Sequence, residues 1–254
     1  MSAPSIEQDK ARVRTHWEDR PCGTIDTLEP GTPEYFAEVE RERWELEPFI
    51  PSFAEFWKWR GKRVLEIGVG QGTDHLQFAR AGADLSGVDL TEASIELASR
   101  RLGFEGLESD LRRADAETLP FEDDTFDLVY SWGVLHHTPR TEEAIEEARR
   151  VCAPDGEARI MLYSSTSWCA WGHWLKYALA AGKPRRSVKD VLYHHMESYG
   201  TKAYTQPELE QLFARWSDVS FQRFLTPYDT RVGGPVARAL GERYGWFVGI
   251  RARP

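Results

Sequence analysis

Positive charge is in short supply in this 254-residue chain, whose formal net charge at pH 7 is −9. That balance argues against a broad nucleic-acid-binding surface, because phosphate contacts need clustered Lys and Arg. Cysteine is scarcer still. Cys22, Cys152 and Cys169 are odd in number and far apart, which gives neither a disulfide framework nor a zinc spacing and fits a reducing cytoplasm. Long apolar runs are missing, so no segment is expected to span a bilayer. The stretch Met1 to Lys10 is polar and acidic, with no signal-peptide core. No C-x-x-C or H-x-x-x-H spacing occurs, even around His194-His195-Met196-Glu197, and no metal is expected.

What is present is a soluble-domain composition, 41% hydrophobic and 29% charged, enough to bury a sizeable core in one domain with an appended cap. Its organising stretch is 64–74, Val-Leu-Glu-Ile-Gly-Val-Gly-Gln-Gly-Thr-Asp. Val64, Leu65 and Ile67 read as a short buried strand. Gly68, Gly70 and Gly72 interrupt it at alternate positions, and from Thr73 the apolar residues Leu76, Phe78 and Ala79 follow a helical period. Strand, glycine loop and helix open a nucleotide-binding α/β sheet. Glycines lack a Cβ, so backbone can approach a ligand and turn through φ > 0. A dinucleotide fingerprint is G-x-G-x-x-G, but here Thr73 stands where its third glycine falls. Glu66, beside the loop, suits a cationic ligand end better than a pyrophosphate.

More acids fall at strand ends. Asp84 to Val88 reads as a second strand ending in Asp89, placed to bond both ribose hydroxyls of an adenosine. The competing role, capping the next helix, can be met by Thr91. Leu111 to Ala116 is a third strand ending in Asp115, which can accept from an adenine amino group while the Ala116 N–H donates to the ring. Phe126 to Ser131 is apolar enough for a central fourth strand. Trp132 to His137 follow at its C-terminal end, the edge at which open α/β sheets bind ligands. A helix capped by Thr141 leads to Cys152, and Pro154-Asp155-Gly156 turns the chain into a fifth strand, Ala158 to Tyr163.

Glu66 with the glycines, Asp89, Asp115-Ala116 and Ser131 to His137 occur in the order and at the intervals found in class I S-adenosylmethionine-dependent methyltransferases. Over 61–163 the chain resembles their small-molecule members of the ubiquinone-biosynthesis type. The resemblance implies an α/β, Rossmann-like fold: a seven-stranded, mostly parallel sheet whose last strand is antiparallel. It implies S-adenosylmethionine as cofactor and S-adenosylhomocysteine as its product. The residues it assigns to that cofactor are Glu66, Gly68, Gly70, Gln71, Gly72, Asp89, Leu90, Asp115, Ala116, Ser131, Trp132 and His136. The C-terminal pattern agrees, with a helix near Gln206–Ala214, strand-like Val219–Phe224 and a closing strand over Gly245–Ala252.

Four regions are expected: a helical N-terminal cap (1–60), the cofactor-binding core (61–163), a substrate lid inserted after strand five (164–205) and the C-terminal part of the core (206–254). In the cap, Thr32-Pro33-Glu34 starts a helix that carries Tyr35 and Arg43, both candidates to contact substrate. The insertion places Trp168, Trp171 and Trp174 along one helical side. Trp168 and Tyr204 are its substrate candidates, and the basic run Lys183 to Lys189 reads as solvated surface.

Methyl transfer from a sulfonium is an in-line displacement with a neutral leaving group. Alignment and dryness supply most of the acceleration, and no single residue is obligatory. A hydroxyl acceptor benefits from a base, for which His136, His194, His195 and Tyr199 are candidates; His137 fits a structural role better. The expected function is methyl transfer to an O or N atom of a small molecule enclosed by an aromatic lid, with no nucleic-acid or membrane partner. The other readings are C-methylation, with or without cyclisation, a nicotinamide-dependent oxidoreductase, and a cofactor-binding protein without turnover.

Overall fold

Apolar side chains on both faces of the first and fourth strands require a central sheet covered on both sides. The structure, a computed structural model, describes residues 6–254. Residues 1–5, the start of the expected cap, lie outside the described residues. One sheet is formed by β1 (Arg63–Ile67), β2 (Asp84–Asp89), β3 (Asp110–Arg113), β4 (Phe126–Trp132), β5 (Cys152–Tyr163), β6 (Ser217–Phe224) and β7 (Phe247–Arg253). Its order is β3-β2-β1-β4-β5-β7-β6. The first five strands pair in parallel, and β7 lies antiparallel between β5 and β6. The mostly parallel, seven-stranded sheet with an antiparallel closing strand is therefore what the chain forms.

The two-residue period of a strand divides the core. Val64, Leu128 and Tyr130 enter one apolar cluster with Phe78 and Phe224. Leu65, Ile67 and Val129 enter the other with Ile160 and Ile250. After β1 the chain builds outward to β2 and β3, then returns to the far side of β1 with β4. That reversal opens a crevice at the C-terminal ends of β1 and β4.

Three helices precede β1: α1 (Ile6–Asp19), α2 (Pro33–Leu46) and α3 (Ile50–Ala54). Thr32 caps α2 by accepting the Tyr35 N–H at 3.2 Å, with Pro33 in the first turn. Helix α1 has Val13 as its buried residue, so no apolar stripe announced it in the sequence. The crossover helices are α4 (Thr73–Ala81), α5 (Glu92–Gly103) and α6 (Thr141–Val151). Thr91 caps α5 through the Ser94 N–H. Thr141 does not cap α6; it is the first helical residue, and its hydroxyl donates back to the Leu135 carbonyl at 2.9 Å. Strand β5 starts earlier than its apolar run suggested, because Cys152 already pairs with Phe126 before a register shift.

After β5 come α7 (Trp168–Trp174), a π-helical turn (Leu175–Leu179) and α8 (Val188–His195). Then follow α9 (Gln206–Leu212), β6, α10 (Pro227–Leu240), broken at Gly234 ahead of Pro235, and β7. Among the described residues no helix is long and apolar enough to cross a membrane.

Candidate functional site

The crevice at the strand tips is a cavity of about 320 Å³. The glycine loop after β1 forms its floor. Gly68 has φ +83° and stands so close to Val134 that an added Cβ would lie 2.2 Å from Val134 Cγ2. Gly72, at φ +73°, starts α4 and would place a Cβ 3.0 Å from the Ala98 Cα, so it packs α4 on α5 from behind the cavity. Four N–H groups of the loop are committed within the protein. Gly68 and Val69 donate to the Val88 carbonyl, Gly72 to the Val69 carbonyl, and Gly70 to Asp89 Oδ2 at 3.0 Å. Those donors are not left over for a pyrophosphate, which counts against a dinucleotide.

The tip of β2 is tied down from two sides. Asp89 Oδ1 accepts the Thr91 N–H at 3.0 Å and its hydroxyl at 2.8 Å, while Oδ2 holds Gly70. Burial pushes this carboxyl above its ordinary range, against the pull of those hydrogen bonds. Asp115, after β3, lines the same cavity but is already engaged: Oδ2 is 2.6 Å from Lys10 Nζ, and Oδ1 accepts the Glu117 N–H at 2.9 Å.

Glu66 is buried at the end of β1, 2.9 Å from His75 Nδ1. His75 Nε2 lies 2.9 Å from Ser109 Oγ, whose hydroxyl donates to the Leu85 carbonyl at 2.8 Å. Ser109 Oγ therefore accepts from Nε2–H, Nδ1 is the acceptor of a neutral ring, and the Glu66 carboxyl is the donor. Burial, with Asp74 next in weight, holds Glu66 well above the usual carboxylate range, and burial lowers His75 to about 3. Nearby, Arg43 Nη2 pairs with Asp74 at 2.9 Å, and the Tyr130 hydroxyl donates to the same carboxylate at 2.8 Å.

Gln71, Leu90, Ala116, Trp132 and Arg43 also line the cavity. Several expected residues do not. Ser131 is buried behind it, its hydroxyl donating to the Ile67 carbonyl at 3.0 Å. His136 is fully buried with its ring 3.8 Å from that of Tyr163. Tyr35 packs in a separate cluster with Phe36 and Val39. His194 is bonded to its own helix through the Asp190 carbonyl, His195 stacks on Tyr177 at 4.2 Å, and Tyr199 contacts Tyr193 on the surface. Trp168 packs on Gly233 and Trp171, and Tyr204 pairs its backbone with Ser164 and Tyr163. Trp168 meets α10 at Gly233, Trp171 packs on Trp168 and Tyr244, and Trp174 donates its indole N–H to the Arg186 carbonyl, so the three tryptophans meet different neighbours and none lines the cavity.

Other lining residues carried no signal in the sequence, among them Lys10, Glu47, Tyr163, Glu197, Tyr228 and Phe247. Of 164–205, Glu197 alone lines the cavity. His137 does so as well, with Nδ1 held 2.8 Å from Ser198 Oγ and 3.1 Å from Thr201 Oγ1. Burial brings its pKa down to about 4. His136, His137 and Glu197 offer ligand atoms within 4.8 Å of one another. Lys202 lies close enough to oppose protonation of both rings.

Residues 65–160 match a family model described as a methyltransferase domain. An uncharacterised protein of Mycobacterium bovis is 30% identical over 176 residues, covering 68% of this chain and 62% of that protein. The phthiotriol/phenolphthiotriol dimycocerosates methyltransferase 1 of Mycobacterium ulcerans is 42% identical over 98 residues, 38% of this chain and 35% of that one. The chain thus spans less than two thirds of the length of the curated relatives it matches. The solved structure of an S-adenosylmethionine-dependent methyltransferase from Mesorhizobium loti shares the fold, with a TM-score of 0.59, 18% identity, and coverage of 81% of this chain and 97% of that one.

The chain carries a stretch similar to a methyltransferase domain over residues 65–160, on a fold shared with S-adenosylmethionine-dependent methyltransferases.

The cofactor of that family fits the residues found here. Glu66 and Asp74, both buried, and the part-buried Asp89 put three carboxyls beside the glycine loop, with Arg43 the cation next to them. That excess of acid suits a ligand carrying an ammonium and a sulfonium, and the committed loop N–H groups suit one without phosphate. The family model ends at Ile160, within β5, so the helices before β1 and all of the chain after that point, β6 and β7 included, lie outside it.

Proposed function

We propose that this methyltransferase moves the methyl group of S-adenosylmethionine to an O or N atom of a small-molecule acceptor in the same cavity. The bound donor supplies an electrophilic methyl on a sulfonium that leaves as a neutral thioether. In this reading Glu66 and the backbone at Gly68 face its amino-acid end, Asp89 its ribose, and Leu90, Asp115 and Ala116 its adenine. Gln71 and Trp132 close the sides, while Gly72, Ser131 and His136 act from behind by holding the loop, β4 and β5. Arg43 bounds the acceptor end. His137, neutral and facing the cavity, takes the place of His136, His194, His195 and Tyr199 as the base for a hydroxyl acceptor.

The observation that carries this reading is the pairing of an acid at each of three neighbouring strand tips with a glycine loop in which the Gly68, Val69, Gly70 and Gly72 N–H groups are already used. The helices before β1 and residues 164–205 are proposed to cover the acceptor, the latter chiefly through Glu197, in a soluble protein of a reducing cytoplasm. Nothing about the acceptor is transferred from the mycobacterial relative, whose similarity lies within a 98-residue stretch. The test is titration calorimetry with S-adenosylmethionine, followed by mass-spectrometric detection of S-adenosylhomocysteine over a panel of small hydroxyl and amine compounds. Saturable binding with acceptor-dependent product is expected. Absence of binding removes the proposal, and binding without turnover of any acceptor favours a non-catalytic role.

A further inference from the structure

Beyond the adenosyl-facing tips, one end of the cavity lies against β4, β5, β7 and the chain after α8. We infer that it takes the acceptor as a cation: a small arylalkyl amine whose ammonium sits between the Glu47 and Glu197 carboxylates over an aromatic floor. This rests on the methyltransferase reading above and names its acceptor.

A row of rings joins the two carboxylates. Glu47 Oε2 accepts the Trp132 Nε1–H at 2.6 Å, and the Trp132 ring meets Phe247 edge-on at 6.1 Å. Phe247 stacks on Tyr163 at 5.5 Å, and the Tyr163 hydroxyl donates to Glu197 Oε1 at 2.7 Å. All five residues line the cavity, and Tyr228 joins them. Glu47 and Glu197 both act electrostatically on the Tyr228 hydroxyl and the Cys22 thiol, so their charges address one space. Glu197 Oε1 is taken by Tyr163; Oε2 has no hydrogen bond among the described residues, on a side chain that is 36% exposed.

Positive charge is already spent at both ends. Arg43 is 2.9 Å from Asp74 and 3.4 Å from Glu47, and Lys10 is 2.6 Å from both Asp115 and Glu117. No other Lys or Arg among the described residues lines the cavity. An anionic acceptor would meet repulsion, whereas an ammonium gains from two carboxylates and from the faces of the rings. A methylated amine remains a cation, so the same floor holds the product.

The chemistry balances without an added base. The ammonium gives one proton to Glu197, which passes it to solvent through its exposed edge. The freed nitrogen lone pair then forms the N–C bond to the methyl carbon as that carbon's bond to sulfur breaks, and the bonding pair stays on sulfur. Glu197 is thus the catalytic residue of this step, and Glu47 holds the charge.

Three phenyl probes of similar size and different charge test this by calorimetry on protein saturated with S-adenosylhomocysteine: benzylammonium, benzyl alcohol and benzoate. The ammonium is expected to bind about tenfold or more tighter than the alcohol, with benzoate weakest. Glu197→Gln is expected to remove most of that preference while S-adenosylhomocysteine affinity stays within about twofold, which also reports that the variant is folded. Equal or tighter binding of the alcohol or benzoate overturns the inference, as does an ammonium affinity unmoved in both Glu197→Gln and Glu47→Gln. If S-adenosylhomocysteine itself fails to bind, the methyltransferase reading falls and this one with it. If it binds and the probes are not told apart by charge, only this one falls.

Discussion

The Asp89 carboxylate accepts the Gly70 N–H at 3.0 Å, so the tip of β2 holds the loop that ends β1. The same side chain anchors Thr91 at the start of α5. The residue proposed to bind the ribose thus also shapes the loop beside it.

Asp89→Ala removes both. S-adenosylmethionine affinity is expected to fall by about 100-fold, the scale of one or two charge-assisted hydrogen bonds. Asp89→Asn keeps an acceptor oxygen and is expected to lose about tenfold. Calorimetric titration of the two variants reads this directly; equal loss in both, or none in either, speaks against a carboxylate–hydroxyl contact.

Gly68→Ala forces a side chain into φ +83° and into Val134. A loss of about 3 kcal/mol in unfolding free energy is expected from strain and overpacking together. Adding Val134→Ala relieves the overlap but not the backbone, so about 1 kcal/mol or more should return as coupling between the two sites. Urea unfolding of both single variants and the double variant measures it, and strict additivity contradicts the packing argument.

Donor binding should release a proton. In the free protein the Glu66 carboxyl is held protonated by burial and by donating to a neutral His75. A cationic ligand end favours the ionised form, so affinity should strengthen as pH rises toward neutrality. Calorimetry in buffers of different ionisation enthalpy should report the release. Glu66→Gln, whose amide can still donate to His75, should lack it; an identical proton count in wild type and variant argues against Glu66 as the group.

His137 sets an acid limit. Its folded pKa is about 4 against 6.5 for a free imidazole, a depression caused chiefly by burial. Below 6.5 the unfolded chain binds a proton that the folded chain refuses, so this part of the stability is complete above 6.5 and is lost as pH falls toward 4. Its slope is about 1.4 kcal/mol per pH unit. Glu66 and other raised acids act in the opposite sense, so the quantity to read is the difference between wild type and His137→Asn. That difference should flatten the curve by about this slope across the window.

Local chemistry made the centre of this fold legible. Val64 to Asp74 holds its strand, loop and helix start in consecutive residues, and Thr32 and Thr91 announce their helices by capping. The end proposed for the acceptor was not legible, because its parts meet only after folding. Glu47 and Trp132 are 85 residues apart, and Tyr163 and Glu197 are 34 apart. The tryptophans of α7 show the limit of periodicity: spacing says which side chains share a face, and only packing says what that face meets. Lys10 lies on a helix with Val13 as its buried residue, so its pairing with Asp115 had no pattern behind it.

The most direct test of the central claim is a crystal structure with S-adenosylhomocysteine bound. The expected result places both ribose hydroxyls on Asp89, the adenine beside Asp115 and Ala116, and the amino group near Glu66. A ligand seated away from these three strand tips, or a phosphate-bearing coenzyme in their place, would contradict it.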